Sequence, residues 1–266
     1  MSGKRAKRLR RIENQRSIRA GNATTVKRAA NVILAVDLND AVLRDRVLRV
    51  TVGLCRAAAA QSLVIATLAE ANQLSSAAPN RRLFLEAAIR LIWLSGLSRA
   101  DRRDAADVML EKDRKDTNTT LRYLKSLGHE VDFDPTAMNE FELSAPARGT
   151  LQEQVRKLDA AVRGSASEPW SLYAMCREET KYAHPSDALA GAYAPTLDDA
   201  HLSSEWPEPM DPDLQAHQLT QCLLVVAAEQ ILTDDGYGFD ISARIRVEFR
   251  ASTQFSFEWP ETTVSE

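Results

Sequence analysis

Apolar residues recur along this chain at three- and four-residue intervals over long stretches, and that spacing predicts helices. Ala41, Val42, Val47, Leu48, Val52, Leu54, Cys55 and Ala58 mark the inner face of a long first core helix, with Asp37 or Asn39 placed to cap its start. Ser75, Ser76, Pro79 and Asn80 then interrupt the pattern. The next segment, Arg81 to Leu97, is apolar nearly all round, as a central buried helix is, and Gly96 and Ser98 close it. Asp101 to Leu127 reads as a longer charged helix with Ala105, Val108, Met109, Leu121, Tyr123 and Leu124 inward and Gly128 as its C-cap. Residues 132–146 form a linker containing Pro135 and Pro146. An amphipathic helix follows from Thr150 to Arg163, and Ser165 or Ser167 caps another that runs from Trp170 to about Ala183 and stops at Pro185. Residues 186–212, with Pro195, Pro207, Pro209 and Pro212, read as a long loop or hinge before a strongly apolar helix from Asp213 to Leu232. Beyond Gly238, Ile241, Ala243, Ile245, Val247 and Phe249 alternate with period two and predict one or two strands or an extended arm.

The predicted architecture is therefore an all-α bundle of six or seven helices with a short extended or β segment at the C-terminus. Ten glycines and ten prolines in 266 residues are few, which agrees with a helical chain because both residues interrupt helices. The divisions expected are a basic tail or helix over 1–28, a helical domain over 29–235 and an acidic extension over 236–266.

Charge changes this picture. The total is balanced, with 34 Lys+Arg against 37 Asp+Glu, but the layout is polar. Residues 1–28 hold ten basic side chains and Glu13, a net of 10 − 1 = +9. Residues 186–266 hold 15 acidic side chains against Arg244, Arg246 and Arg250, a net of 3 − 15 = −12. A positive head and a negative tail flank a neutral body, which excludes a uniformly basic binding surface and leaves polyanions to be handled locally. Cys55, Cys176 and Cys222 each stand alone, with no CxxC and no His at metal-ligand spacing, and read as reduced, buried thiols of a cytoplasmic protein. The weakly polar run Ala57 to Ala69 is interrupted by Gln61, Ser62 and Thr67, and the basic head is followed by no contiguous apolar region. Neither a membrane span nor a signal peptide is expected. No glycine-rich phosphate loop, nucleophile elbow or metal motif is present, so no cofactor and no metal are expected.

Two polar stripes interrupt the apolar helices. Arg82, Glu86 and Arg90 stand at i, i+4 and i+8 and so share one face. An unpaired buried charge is costly, so that face must be a solvated stripe, a ladder of ion pairs or the wall of a polar cleft. Further on, Tyr173, Arg177, Lys181 and His184 fall on one helical line, with Tyr182 beside them. Two cations and an imidazole in one line suit an anion such as phosphate, and a histidine is the side chain best suited to moving protons at neutral pH. The bland reading has His184 bonding the last carbonyls of its helix and Arg177 pairing with Glu86 or Glu178. His129, His201 and His217 have no such cluster around them and read as structural.

The segments Arg81-Arg82-Leu-Phe-Leu-Glu86 and Tyr173…Arg177…Lys181-Tyr182-Ala-His184-Pro185 resemble a family of helical bacterial domains with an Arg-x-x-x-Glu helix and a late helix ending in Tyr/Ser-x-x-His. More distantly, Arg177-x6-His184 is similar to the Arg, four to six residues, His mark of the HEPN superfamily, with Glu178 where that superfamily commonly has Asn, Asp or His. The resemblance spans roughly residues 45–232. It implies a metal-independent endoribonuclease of toxin or phage-defence context, with Arg177 binding phosphate, His184 acting as general acid or base, and a cleft shared across a homodimer. Lys181, Tyr182, Arg82, Glu86 and Arg90 would then contact the RNA. The alternative that the charge layout leaves open is a non-enzymatic dimeric module whose basic head contacts nucleic acid.

Overall fold

A computed structural model describes residues 3–37, 45–71, 73–139, 149–165, 167, 169–193, 214–237 and 243–253. Of these residues 84% are helical and none lies in a strand. The elements are α1 (Gly3–Ala35), α2 (Arg46–Glu70), a 3₁₀ turn (Leu74–Ala77), α3 (Ala78–Ser95), α4 (Arg99–Ser126), the single turn α5 (Thr136–Asn139), α6 (Gly149–Arg156), α7 (Leu158–Arg163), α8 (Trp170–Ala183), α9 (Asp187–Tyr193), α10 (Leu214–Asp234) and α11 (Arg244–Thr253). The all-α class is as predicted, with more helices than six or seven. Two of the additions come from predicted units that the structure subdivides: the stretch from Thr150 to Arg163 breaks at the extended Lys157 into α6 and α7, and α9 forms inside the expected hinge. The rest of that hinge, residues 194–213, and most of the linker before α6 lie outside the described residues.

The helices start and stop where local chemistry allows. Asp45, rather than Asp37 or Asn39, caps α2, accepting a hydrogen bond from Val47 N at 2.6 Å. Ser98 caps α4 by accepting from Asp101 N and donates in return to Asp101 Oδ2, a reciprocal cap that satisfies groups at the helix start. Gly128, at φ +79°, ends α4 in the left-handed region that glycine reaches without strain.

The core lies where α2, α3 and α10 meet. Phe84, Ile89, Leu91, Trp93 and Leu94 of α3 are buried against Leu48 and Ile65 of α2 and Leu224 and Ile231 of α10. By length and composition α2 is apolar enough to cross a membrane, contrary to the expectation that no stretch is. Its few polar residues are outweighed by the apolar ones, and the hydroxyls of Ser62 and Thr67 bond within the helix, to Ala58 O and Leu63 O. Its buried face, from Val47 to Ala69, is covered by the rest of the bundle.

The C-terminal segment corrects the period-two reading. Residues 244–253 are the helix α11, with Ile245 and Phe249 buried one turn apart and Val247 exposed. Burial at i and i+4 fixes a helix here, and the alternation of apolar residues only coincided with a strand pattern. Arg246 Nε lies 3.1 Å from Glu229 Oε1 and ties α11 to α10. At the other end, α1 passes position 28 without a break, and Ala23, Val26, Ala29, Ala30 and Ile33 are its buried residues.

Arg102 is the most deeply buried cation among the described residues, at 1% exposure. Its guanidinium donates to Leu94 O and Leu97 O at the end of α3, to Ile231 O near the end of α10, and to Asp234 Oδ2, with the Asp235 carboxylate 3.4 Å away. Helix C-termini leave carbonyls without intrahelical partners, and this one side chain serves two of those termini.

Candidate functional site

Helices α3 and α8 pack together in antiparallel fashion and bring the two polar stripes into contact. Leu172 and Cys176 of α8 are buried on the line that faces α3, and the Cys176 thiol points at Arg82 O, 3.9 Å away. Glu179, one turn further along that line, receives Arg81 in a bidentate pair, Nε to Oε1 at 2.7 Å and Nη2 to Oε2 at 2.8 Å. Both side chains are nearly enclosed, at 6% and 12% exposure. Such a fork can form only in one orientation, so this pair fixes how α8 lies on α3.

The next residue of α3, Arg82, points outward. Its Nη1 lies 2.6 Å from His184 Nε2, and its Nη2 lies 4.0 Å from Glu86 Oε2. A guanidinium can only donate, so Nε2 accepts and the ring proton sits on Nδ1. His184 reaches Arg82 because it is no longer helical. It is the C-cap of α8 at φ −127°, ψ 153°, extended as a residue before proline must be, and the ring leaves the helical line that the seven-residue spacing predicts. Pro185 thus stops α8 and aims its last side chain.

The other candidates are placed as follows. Arg177 is exposed and makes no hydrogen bond or ion pair among the described residues. Glu86 and Glu178, its expected partners, are taken by Arg82 and by Lys181, whose Nζ donates to both Glu178 oxygens at 2.7 and 2.9 Å. Tyr182 is half-buried. Arg90 is not brought to the group: it is buried two turns along α3, where Nη1 donates to Gln154 O at 2.6 Å and the guanidinium lies 5.9 Å from the Trp93 ring. Burial pushes its pKa down, opposed by Glu86. Arg82 and Glu86 are about a third exposed, so the face is open to an incoming anion.

Behind it lies a closed polar layer. His217 of α10 stacks on Phe84 with ring centroids 3.9 Å apart, and its Nε2 lies 3.0 Å from Ser62 Oγ. Ser62 gives its proton to Ala58 O, so Nε2 carries the proton shared with Ser62. Burial, with the Arg81 charge nearby, drives the His217 pKa down to about 3, so the ring is neutral. The three thiols are protonated too. Burial pushes Cys55 up to about 12, and Cys222 and Cys176 to about 11; Glu86 adds to the effect at Cys176. Cys176 therefore supports the site as a packing residue and offers no nucleophile.

A second concavity, of about 550 Å³, runs between α3, α8 and α10, where Met175, Leu219 and Leu223 are exposed. No titratable group lines it. Of the sequence candidates, the structure joins Arg82, Glu86 and His184, while Arg177 and Lys181 stand exposed on α8.

The residues that sequence reasoning passed over are Arg81 and Glu179, while His217 is structural, as expected, though its partners were not foreseen. Arg81 and Glu179 both stand on the inward lines of their helices, with Leu85 and Ala88 and with Leu172 and Cys176, and a charge on an apolar line calls for an opposite charge facing it. His217 carried no comparable signal, since its partners come from α2 and α3. No protein-family model, curated protein or solved structure matches this chain.

Proposed function

We propose that the α3–α8 face is the active site of a metal-independent endoribonuclease. The observation that supports this reading is the 2.6 Å contact between Arg82 and His184, which joins a cation, an imidazole and, through Glu86, a carboxylate at an exposed surface; Arg177 is an exposed cation of the helix that His184 caps. Transfer of an RNA phosphodiester to its own 2′-hydroxyl requires a base to take the hydroxyl proton, an acid to protonate the departing 5′-oxygen, and positive charge on the phosphoryl oxygens. Arg82 and Arg177 supply the charge. An arriving phosphate draws the Arg82 guanidinium off Nε2, and the freed nitrogen of His184 takes or returns the proton. The products are a 2′,3′-cyclic phosphate and a 5′-hydroxyl, with no redox step and no co-reactant. The same reading assigns Lys181 and Tyr182, in the last turn of α8, to the flanking nucleotides.

The test is incubation of the purified full chain with single-stranded RNA in EDTA. Cleavage leaving a cyclic phosphate is expected, with a loss of about 100-fold or more in His184→Ala, the usual contribution of a general acid or base. His184 is exposed, so the variant stays folded. Equal cleavage by wild type and His184→Ala overturns the proposal.

A further inference from the structure

Helix α1 is far longer than its packing requires. It runs for 33 residues, about 50 Å, yet residues 17–21 contain no buried side chain and Ile18 is 59% exposed. Ala23 is the first buried residue among the described side chains of α1, and α10 takes hold of α1 at the same point, with Gln218 Nε2 donating to Asn22 O at 3.2 Å and Gln221 Nε2 to Val26 O at 3.4 Å. The backbone before Asn22 continues as some 30 Å of helix at 1.5 Å per residue. That arm carries Lys4, Arg5, Lys7, Arg8, Arg10, Arg11, Arg16 and Arg19 against Glu13 alone, a net of 8 − 1 = +7. Lys4 with Arg8 and Lys7 with Arg11 are like charges at i, i+4, each destabilising the helix by a few tenths of a kcal/mol, so a polyanion laid on it would relieve its own repulsion.

The root of the arm and α3 are held by the same helix, α10. Gln218, which holds Asn22, is next to His217, and His217 stacks on Phe84, two residues beyond Arg82. Consecutive residues of α10 thus contact α1 on one side and α3 on the other.

We propose that residues 3–22 are a nucleic-acid-binding arm that holds the phosphodiester backbone of the strand presented to Arg82 and His184. The presentation rests on the ribonuclease reading; the binding stands without it. The sequence of the arm suits a nucleic acid better than a lipid surface. Residues 3–22 contain no aromatic side chain, and Arg5, Glu13 and Arg16 share the helix face of Leu9 and Ile12, so no continuous apolar face is available for a membrane interface. A row of cations on a helix matches a row of phosphates, whose neutralisation releases counterions and makes binding steeply salt-dependent.

The test compares full-length wild type with a variant carrying Arg5→Gln, Arg8→Gln, Arg10→Gln and Arg11→Gln, since glutamine keeps helix propensity. Anisotropy with a labelled single-stranded RNA of about 30 nucleotides is measured over a salt series. Each phosphate contact contributes about 0.7 to the log–log salt slope, so the variant's slope should flatten by roughly 2 to 3 and its low-salt affinity fall at least tenfold. Unchanged affinity and slope overturn the proposal, as does arm-dependent binding to phosphatidylserine vesicles without arm-dependent binding to RNA. His184→Ala separates the two readings: it should bind RNA with the wild-type slope while losing cleavage. If it binds and still cleaves like wild type, the ribonuclease reading falls and the arm stands; if the wild type cleaves but the arm variant binds and cleaves equally well, the arm falls alone.

Discussion

His217 shows how one buried side chain sets a pH limit. Its folded pKa of about 3 lies below the ordinary value of about 6.5, because burial and Arg81 disfavour the charged ring. Between those values the unfolded chain binds a proton that the fold refuses, so the contribution is complete above about pH 6.5 and is lost as pH falls toward 3. At about 1.4 kcal/mol per unit the full loss is at most about 5 kcal/mol. Thermal unfolding of wild type should therefore lose Tm steadily on acidification through this window, and His217→Gln, which keeps a donor for Ser62 and cannot titrate, should show a shallower decline. Parallel curves for the two proteins would assign the acid sensitivity elsewhere. The thiols give a second residue-scale expectation. With Cys55, Cys176 and Cys222 all buried and held protonated, iodoacetamide at neutral pH should label none of them appreciably in the native protein and all three in denaturant, as counted by mass spectrometry.

At the scale of elements, the seating of α8 on α3 depends on a single buried fork. Removing one member of a buried pair leaves the other charge uncompensated, at a cost of about 3 to 5 kcal/mol. Glu179→Ala should lower Tm by roughly 10 °C for a chain of this size, whereas Glu178→Ala, on the exposed side of the same turn, should change it little. The contrast between these neighbours also shows what the sequence made legible. Helix periodicity was readable because it records burial on one face, and it located α2, α3, α4, α8 and α10 within a few residues. It put Arg82, Glu86, Arg177 and His184 among the candidates because charge inside apolar helices is conspicuous. What it could not supply was the partner. Arg177 and His184 share a helical line on paper, but the backbone constraint from Pro185 turns His184 onto Arg82, 102 positions earlier in the chain. The strand reading failed over 244–249 for a related reason: alternation of apolar residues marks a strand only where a partner strand can pair with it, and α11 packs on helices, with Ile245 and Phe249 buried; Ile241 lies outside the described residues.

At the scale of the whole molecule, the balanced charge total conceals a division of labour along the chain. The helical body keeps its own ion pairs, Arg46 with Asp107, Arg81 with Glu179 and Arg246 with Glu229, while the excess of cations stands on the half of α1 that precedes the packed core. The charge of that segment was readable, but the length of its helix was not: a basic tail or helix was expected over 1–28, and α1 continues to Ala35, where it is held by the packing of α2 and α10.

Arg102 has a consequence at this scale as well. The last turns of a helix normally fray, and their amides exchange with solvent long before the molecule as a whole opens. Here the final carbonyls of α3 and of α10 are gathered on one guanidinium that itself belongs to the first turn of α4, so none of the three ends can come apart without exposing a buried cation. Deuterium uptake at the ends of α3 and α10 should accordingly be as slow as at their centres, and Arg102→Met should speed it at both ends together while the middle of each helix keeps its protection. The boundaries of these helices, ordinarily the loosest parts of a bundle, would then serve as its clasp.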